Sequence, residues 1–183
     1  MLKDQIIKKG FEYRIPKKFQ NVSCDIPSDI EKDMVEQIKK GEGVYLFGES
    51  GVGKTYLFYA FSKNIIKQGY EVLILNTGIF LEELRLDFNK KYYGNEKSLF
   101  QEILDFKGIL FFDDIGAEKS SDWTRERLYL ILNKRDEDVL PTFFTSNLDL
   151  SSLAEQVGDR ITSRISGITT RIELKGEDKR LKK

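Results

Sequence analysis

The sequence predicts an α/β protein built on a mostly parallel sheet, and three observations carry that prediction. Short apolar segments alternate with helical ones along the chain, as expected when helices cover both faces of a parallel sheet. The loop GESGVGKT, residues 48 to 55, joins an apolar segment directly to a helical one. Two further apolar segments, GILFFDD and PTFFTSN, end in carboxylates and amides rather than in turn glycines.

Residues 1 to 27, with prolines at 16 and 27, read as an irregular lead-in, and residues 28 to 183 as one domain. Ser28 stands three residues before Glu31, a capping-box pattern that opens a helix running to about Lys40, where the glycines of GEG stop it. VYLFG (44 to 48) is the first strand. Leu57, Phe61 and Ile65 repeat at a spacing of four and give one buried face to a helix from Thr55 to Lys67. EVLILN (71 to 76) is the second strand, and Leu81, Leu84 and Phe88 share a face of the helix after it. A polar and aromatic loop from Asn89 to Asn95 leads to a short helix from about Glu96 to Phe106. GILFFDD (108 to 114), apolar on both faces, is the third strand. Asp122 caps a helix to about Arg135 with Leu128, Ile131 and Leu132 inward. PTFFTSN (141 to 147) is the fourth strand, two short helices reach about Ser166, and ITTRIEL (168 to 174) is the fifth.

Charge narrows the functional classes. Thirty basic side chains balance thirty acidic ones, so nucleic-acid binding requires a local patch rather than the field of the whole molecule. There is no histidine, the commonest general base and metal ligand, and the single cysteine, Cys24, builds neither an intramolecular disulfide nor a zinc site. A reducing, cytoplasmic setting and no membrane partner fit this composition, and no stretch approaches a span of about 20 apolar residues.

GESGVGKT matches G-x-x-x-x-G-K-[ST] without deviation. Its glycines let backbone N–H groups turn toward phosphate with no Cβ in the way. Lys54 brings a point charge to the outer phosphates, and Thr55 offers its hydroxyl to Mg²⁺. Every residue of the loop, Gly48, Glu49, Ser50, Gly51, Val52, Gly53, Lys54 and Thr55, is a candidate contact for ATP. A glycine-rich turn that binds nothing would not need to fall between an apolar strand and an amphipathic helix, where the positive end of a helix dipole also points.

The other strand ends complete the pattern. Asp113 is placed to hold the Mg²⁺ shell, and Asp114 to polarise an attacking water. Asn147, both donor and acceptor, can bridge the γ-phosphate and that water. A strand-to-loop turn explains an isolated Asp-Asp or Asn equally well, and the phosphate loop upstream tips the balance.

With these strand ends in place, the chain resembles the DnaC/IstB-type ATPases of the AAA+ superfamily over about residues 15 to 181. The likeness rests on IPKKFQN, GESGVGKT, LFFDDIGAEKSSDW, PTFFTSNLDLSSLAEQVGDRITSRISG and LKGEDKR. It implies a P-loop NTPase fold of AAA+ type with five strands in the order 5-1-4-3-2, ATP and Mg²⁺ as cofactors, and a C-terminal helical lid that is absent or minimal. It also implies self-association, with ATP between neighbouring subunits and an arginine of one completing the site of the next. In GDRITSRISG that arginine is Arg164, with Arg160 supporting it or touching the nucleotide, and Arg180 in GEDKR reaching the nucleotide as a sensor. Many AAA+ proteins carry Glu where this chain has Asp114, which implies slow turnover. The helicase-docking half that loaders often carry is missing or reduced to a peptide.

Arg85, Phe88, Lys90, Lys91, Tyr92 and Tyr93 bring cations and rings together around one loop, the mixture that single-strand binders use. Phe88 and the tyrosines are equally explained as core, with the lysines solvating a turn. Four functions follow: an ATPase acting on single-stranded DNA to assist replicative helicase loading, a transposition helper, an ATP-binding module that blocks a helicase or another loader, and a small-molecule kinase. GDRITSR argues against the last, which needs no arginine supplied in trans.

Overall fold

The computed structural model describes residues 6–8, 11–13, 16–20, 26–90, 97–117 and 121–181. Five strands, β1 (Gly43–Phe47), β2 (Val72–Asn76), β3 (Ile109–Asp113), β4 (Thr142–Ser146) and β5 (Thr169–Glu173), form one sheet in the order β2-β3-β4-β1-β5. Read from the other edge this is 5-1-4-3-2, and every pairing is parallel. The helices are α1 (Ser28–Lys40), α2 (Lys54–Lys67), α3 (Thr77–Phe88), α4 (Leu99–Asp105), α5 (Asp122–Glu137), α6 (Leu150–Val157) and α7 (Asp159–Ile168).

Successive phenylalanines of β3 and β4 point to opposite faces and explain why both faces are covered. On one face Phe111 stacks on Phe143 at 4.9 Å and meets Phe58 of α2 edge-on at 4.6 Å. On the other Phe112 stacks on Phe144 at 5.6 Å, with Phe80 of α3 at 6.1 Å. β5 lies at an edge, and its Arg171 and Glu173 are exposed, charges that discourage pairing with another chain.

The opposite, N-terminal end of the sheet is tied by Arg135, a buried residue with 2% of its surface exposed. Its Nε donates to Thr142 Oγ1 at 2.6 Å, Nη1 to the Phe106 carbonyl at 3.1 Å, and Nη2 to the carbonyls of Gly108 and Pro141 at 2.7 and 2.9 Å. Burial pulls its pKa down to about 9, which still leaves it charged at neutral pH.

Several local expectations are corrected. No capping box forms at α1: its N-cap is Pro27, and Glu31 accepts from Asn64 Nδ2 of α2 at 2.8 Å. A carboxylate with an amide partner on the next helix gains a tertiary bond that the local cap cannot offer. The cap of α5 is Ser121, whose Oγ accepts from the Thr124 N–H at 3.2 Å, and Asp122 becomes the first helical residue. α4 begins at Leu99, after the cap Ser98. Phe88 does not join Leu81 and Leu84 in the core: it is 65% exposed. In the lead-in, Ile6–Lys8 pairs antiparallel with Phe11–Tyr13, and Lys17–Gln20 forms one helical turn. Cys24 lies outside the described residues.

Candidate active site

The phosphate loop links β1 to α2. Gly51 (φ 85°) and Gly53 (φ 108°) hold left-handed conformations that side chains resist, and a Cβ on Gly51 would lie 2.0 Å from Asp178 Oδ1. Gly53 caps α2 with no side-chain bond to its N–H groups and no acid in its first turn, so the helix end is left for an anion.

Lys54 is buried at 7% exposure. Its Nζ donates to the carbonyls of Gly48 (2.8 Å) and Glu49 (2.7 Å) and to Asn147 Oδ1 (2.7 Å). Burial holds the ammonium below its ordinary pKa, and the carboxylates of Asp114 and Asp113 act against that shift. Asn147 in turn donates from Nδ2 to Asp114 Oδ1 at 3.2 Å. A lysine of the phosphate loop, and an amide and a carboxylate from two strand ends, thus form one chain of contacts.

Asp113 lies deeper. Its Oδ1 accepts from Thr55 Oγ1 at 3.0 Å and from Thr145 Oγ1 at 2.7 Å. Burial pushes the carboxyl up from the usual range, and these two hydroxyls pull it back. One hydroxyl and one carboxylate at the mouth of a phosphate loop match the sparse oxygen set that Mg²⁺ takes alongside phosphates and water. Asp114 stands in the left-handed region at φ 60°, unusual for a residue with a side chain. The turn is held by its N–H donating to Thr145 Oγ1 at 2.8 Å and by the Ile115 N–H donating to the Thr145 carbonyl at 2.9 Å.

The C-terminal residues lie across the loop. The Lys179 N–H donates to the Gly51 carbonyl at 3.0 Å, and Arg180 Nη2 donates to Ser50 Oγ at 3.1 Å while pairing with Asp178 at 2.8 Å. That pairing lowers the Asp178 carboxyl to about 2.

Arg160 and Arg164 stand apart from this site, on α7. Arg164 Nη1 pairs with the Asp136 carboxylate and Nη2 donates to Asn133 Oδ1 at 2.8 Å. The Arg160 guanidinium lies 4.3 Å from the centre of the Tyr129 ring. Of the candidate nucleic-acid residues, Arg85 is exposed, 3.7 Å from Glu82 and 3.5 Å from Ser121 Oγ, and Lys90 is 3.3 Å from Asp87. Lys91, Tyr92 and Tyr93 lie outside the described residues. Beside Arg85 and Lys90 is a cluster that sequence reasoning missed. Phe88 meets Trp123 edge-on at 5.8 Å, and Arg127 lies 5.8, 4.9 and 5.6 Å from the rings of Phe88, Phe100 and Trp123. Thr145 was missed too, although a polar residue at the end of the apolar strand PTFF was its signal.

A parallel sheet in the order 5-1-4-3-2, with a phosphate loop, paired aspartates and an asparagine on adjacent strand ends, defines a P-loop protein of the AAA+ type. Residues 25–183 match the family described as IstB-like ATP binding protein, and the chain belongs to it. The replicative helicase loader DnaI of Bacillus subtilis (strain 168) is 30% identical over 154 residues, covering 77% of this chain and 48% of DnaI. The putative ATP-binding protein of insertion sequence IS21 from Pseudomonas aeruginosa is 27% identical over 150 residues, 79% of this chain and 55% of the relative. This chain therefore spans about half the length of the curated relatives it matches. Among solved structures, a DnaI crystal structure superposes with a TM-score of 0.70 at 28% identity, covering 90% of this chain and 93% of that one. The DnaC helicase loader gives 0.68 at 25% identity, covering 87% and 99%. Among the described residues, no helix is long and apolar enough to cross a membrane.

Proposed function

We propose that the chain binds ATP with Mg²⁺ at the phosphate loop, hydrolyses it slowly between neighbouring copies, and acts on single-stranded DNA to assist replicative helicase loading. The observation that carries this reading is the contact chain Lys54–Asn147–Asp114, which links the loop to two other strand ends. Lys54 would exchange its carbonyl partners for phosphate oxygens. Thr55 and Asp113 would hold the Mg²⁺, which supplies charge neutralisation on the phosphates. Asp114 would accept the proton of the attacking water while Asn147 orients it. The exposed ring of Phe88 beside the half-buried ring of Trp123, flanked by Arg85, Arg127 and Lys90, supports the DNA part, because bases stack on rings while cations follow phosphates. The helicase partner is supported by likeness to DnaI and DnaC, both described as replicative helicase loaders.

A second reading, a helper ATPase in transposition, is favoured by likeness to the IS21 protein. One experiment tests the shared core: ATP turnover measured with and without single-stranded DNA, on the native chain and on Phe88→Ala with Trp123→Ala. Stimulation by DNA in the native chain, lost in the double variant, is expected. Turnover indifferent to DNA removes the nucleic-acid role, and no nucleotide binding at all removes the whole reading.

A further inference from the structure

We infer that Tyr129, Asn133 and Asp136 on α5 are positioning residues that hold Arg160 and Arg164 in place for the ATP of a neighbouring subunit. The inference rests on the shared-site reading above. The three residues are spaced i, i+4 and i+7, so they form one stripe along the helix. That stripe faces α7, where Arg160 and Arg164 are themselves four apart.

Each contact restricts a long side chain that would otherwise sample many rotamers. Arg164 is gripped at both ends of its fork: Nη1 by the Asp136 carboxylate and Nη2 by Asn133 Oδ1 at 2.8 Å. A guanidinium has five N–H donors, so this grip leaves donors for a second anion. The side chain also stays 32% exposed, reachable from outside. Arg160 lies over the Tyr129 ring at 4.3 Å, and Arg164 approaches the same ring at 6.0 Å. Tyr129, Asp159, Arg160, Ser163, Arg164 and Gly167 line an open cleft of about 460 Å³. Two arginines meet in one cleft, with Asp136 pairing Arg164 and Asp159 also in the lining, and the guanidinium donors that this grip leaves over suit an incoming polyphosphate edge.

Loss of the stripe should act in trans, on the neighbour's site, and this separates positioning from folding. Asp136→Ala and Tyr129→Ala are each expected to lower turnover of the assembled protein about tenfold, since a loosened arginine is misplaced at the reacting phosphate. Tyr129→Phe keeps the ring and should recover most of the rate. Excess Asp114→Asn subunits, inactive but with intact stripe and arginines, should restore turnover at the variants' own sites. Two results overturn the inference: wild-type turnover in Asp136→Ala and Tyr129→Ala, or a loss that excess Asp114→Asn leaves unrepaired, as damage within the variant's own fold would be. Arg164→Ala run in parallel isolates the underlying reading. If Arg164→Ala itself turns over normally, the shared site fails. If it is inactive and rescued by mixing while the stripe variants are normal, the stripe alone fails. Tyr129 is partly exposed, so its variants keep the test decisive if Asp136→Ala does not fold.

Discussion

Two buried cations stand at opposite ends of the central sheet, and they are satisfied by different kinds of partner. Lys54, at the C-terminal edge, donates to two loop carbonyls and to an exposed asparagine. Arg135, at the N-terminal edge, donates to three carbonyls and a hydroxyl on segments leading into β3 and β4. Lys54's acceptors Glu49 and Asn147 belong to exposed residues, so water or another anion can replace the contacts. Thr142 and Phe106, two of the residues that accept from Arg135, are 1% and 7% exposed, where water has little access to replace the contacts. A buried charge with exchangeable partners is available for chemistry, whereas one with fixed partners is part of the frame.

The largest effect expected from this contrast is on binding. Lys54→Ala should weaken affinity for a fluorescent ATP analogue by about a hundredfold or more, the range for removing one member of a buried charge pair. Its midpoint in urea should barely move, because water can take over the freed acceptors. A large fall in midpoint with affinity unchanged would place Lys54 in the frame and break the contrast.

Arg135→Met should give the converse. Removing the guanidinium takes a donor from the buried Thr142 hydroxyl and Phe106 carbonyl and from the partly buried carbonyls of Gly108 and Pro141, the last of which keeps the Leu110 N–H. A loss of about 3 kcal/mol is expected from urea unfolding. At temperatures where the variant remains folded, its affinity for the ATP analogue should match the native chain. Equal stability of variant and native chain would mean that water satisfies those carbonyls as well as Arg135 does.

The same contrast explains what the sequence could and could not disclose. GESGVGKT and GILFFDD are local patterns whose spacing follows from the phosphate they would cradle, so the loop, Asp113 and Asp114 were legible directly. Asn147 was legible because an amide ends an otherwise apolar strand. Arg135 was not, since its acceptors come from Phe106, Gly108, Pro141 and Thr142, and its own segment shows only a basic residue near a helix end. Glu31 misled for the same reason: the capping box is a local pattern, but Asn64 is a tertiary partner. Phe88 fitted the helical periodicity of Leu81 and Leu84, and only the packed structure reveals that its ring meets Trp123 at the surface.

The smallest effect lies at Thr145, which sharpens the contrast because it has frame-type bonds at the chemical edge. Its hydroxyl donates to Asp113 Oδ1 at 2.7 Å and accepts from the Asp114 N–H at 2.8 Å, so one atom joins both aspartates. The residue is 1% exposed, and water has no easy route to replace either bond. Thr145→Val keeps the volume and removes the hydroxyl, taking the acceptor from the Asp114 N–H and leaving Asp113 Oδ1 with Thr55 as its remaining hydroxyl donor, a cost of about 1–2 kcal/mol. ATP affinity should change little, since Lys54 and the loop are untouched. Turnover should fall further than stability implies, because Asp114 sits at φ 60° and loses the bond that holds it there. Comparing Thr145→Val with Thr145→Ser separates the two contributions, as serine restores the hydroxyl without the methyl. Turnover that follows the hydroxyl, and not the unfolding midpoint, is the expected result. If valine and serine variants turn over alike, the Asn147 contact and the backbone bond from the Ile115 N–H to the Thr145 carbonyl suffice to hold Asp114, and the Thr145 hydroxyl belongs to the frame.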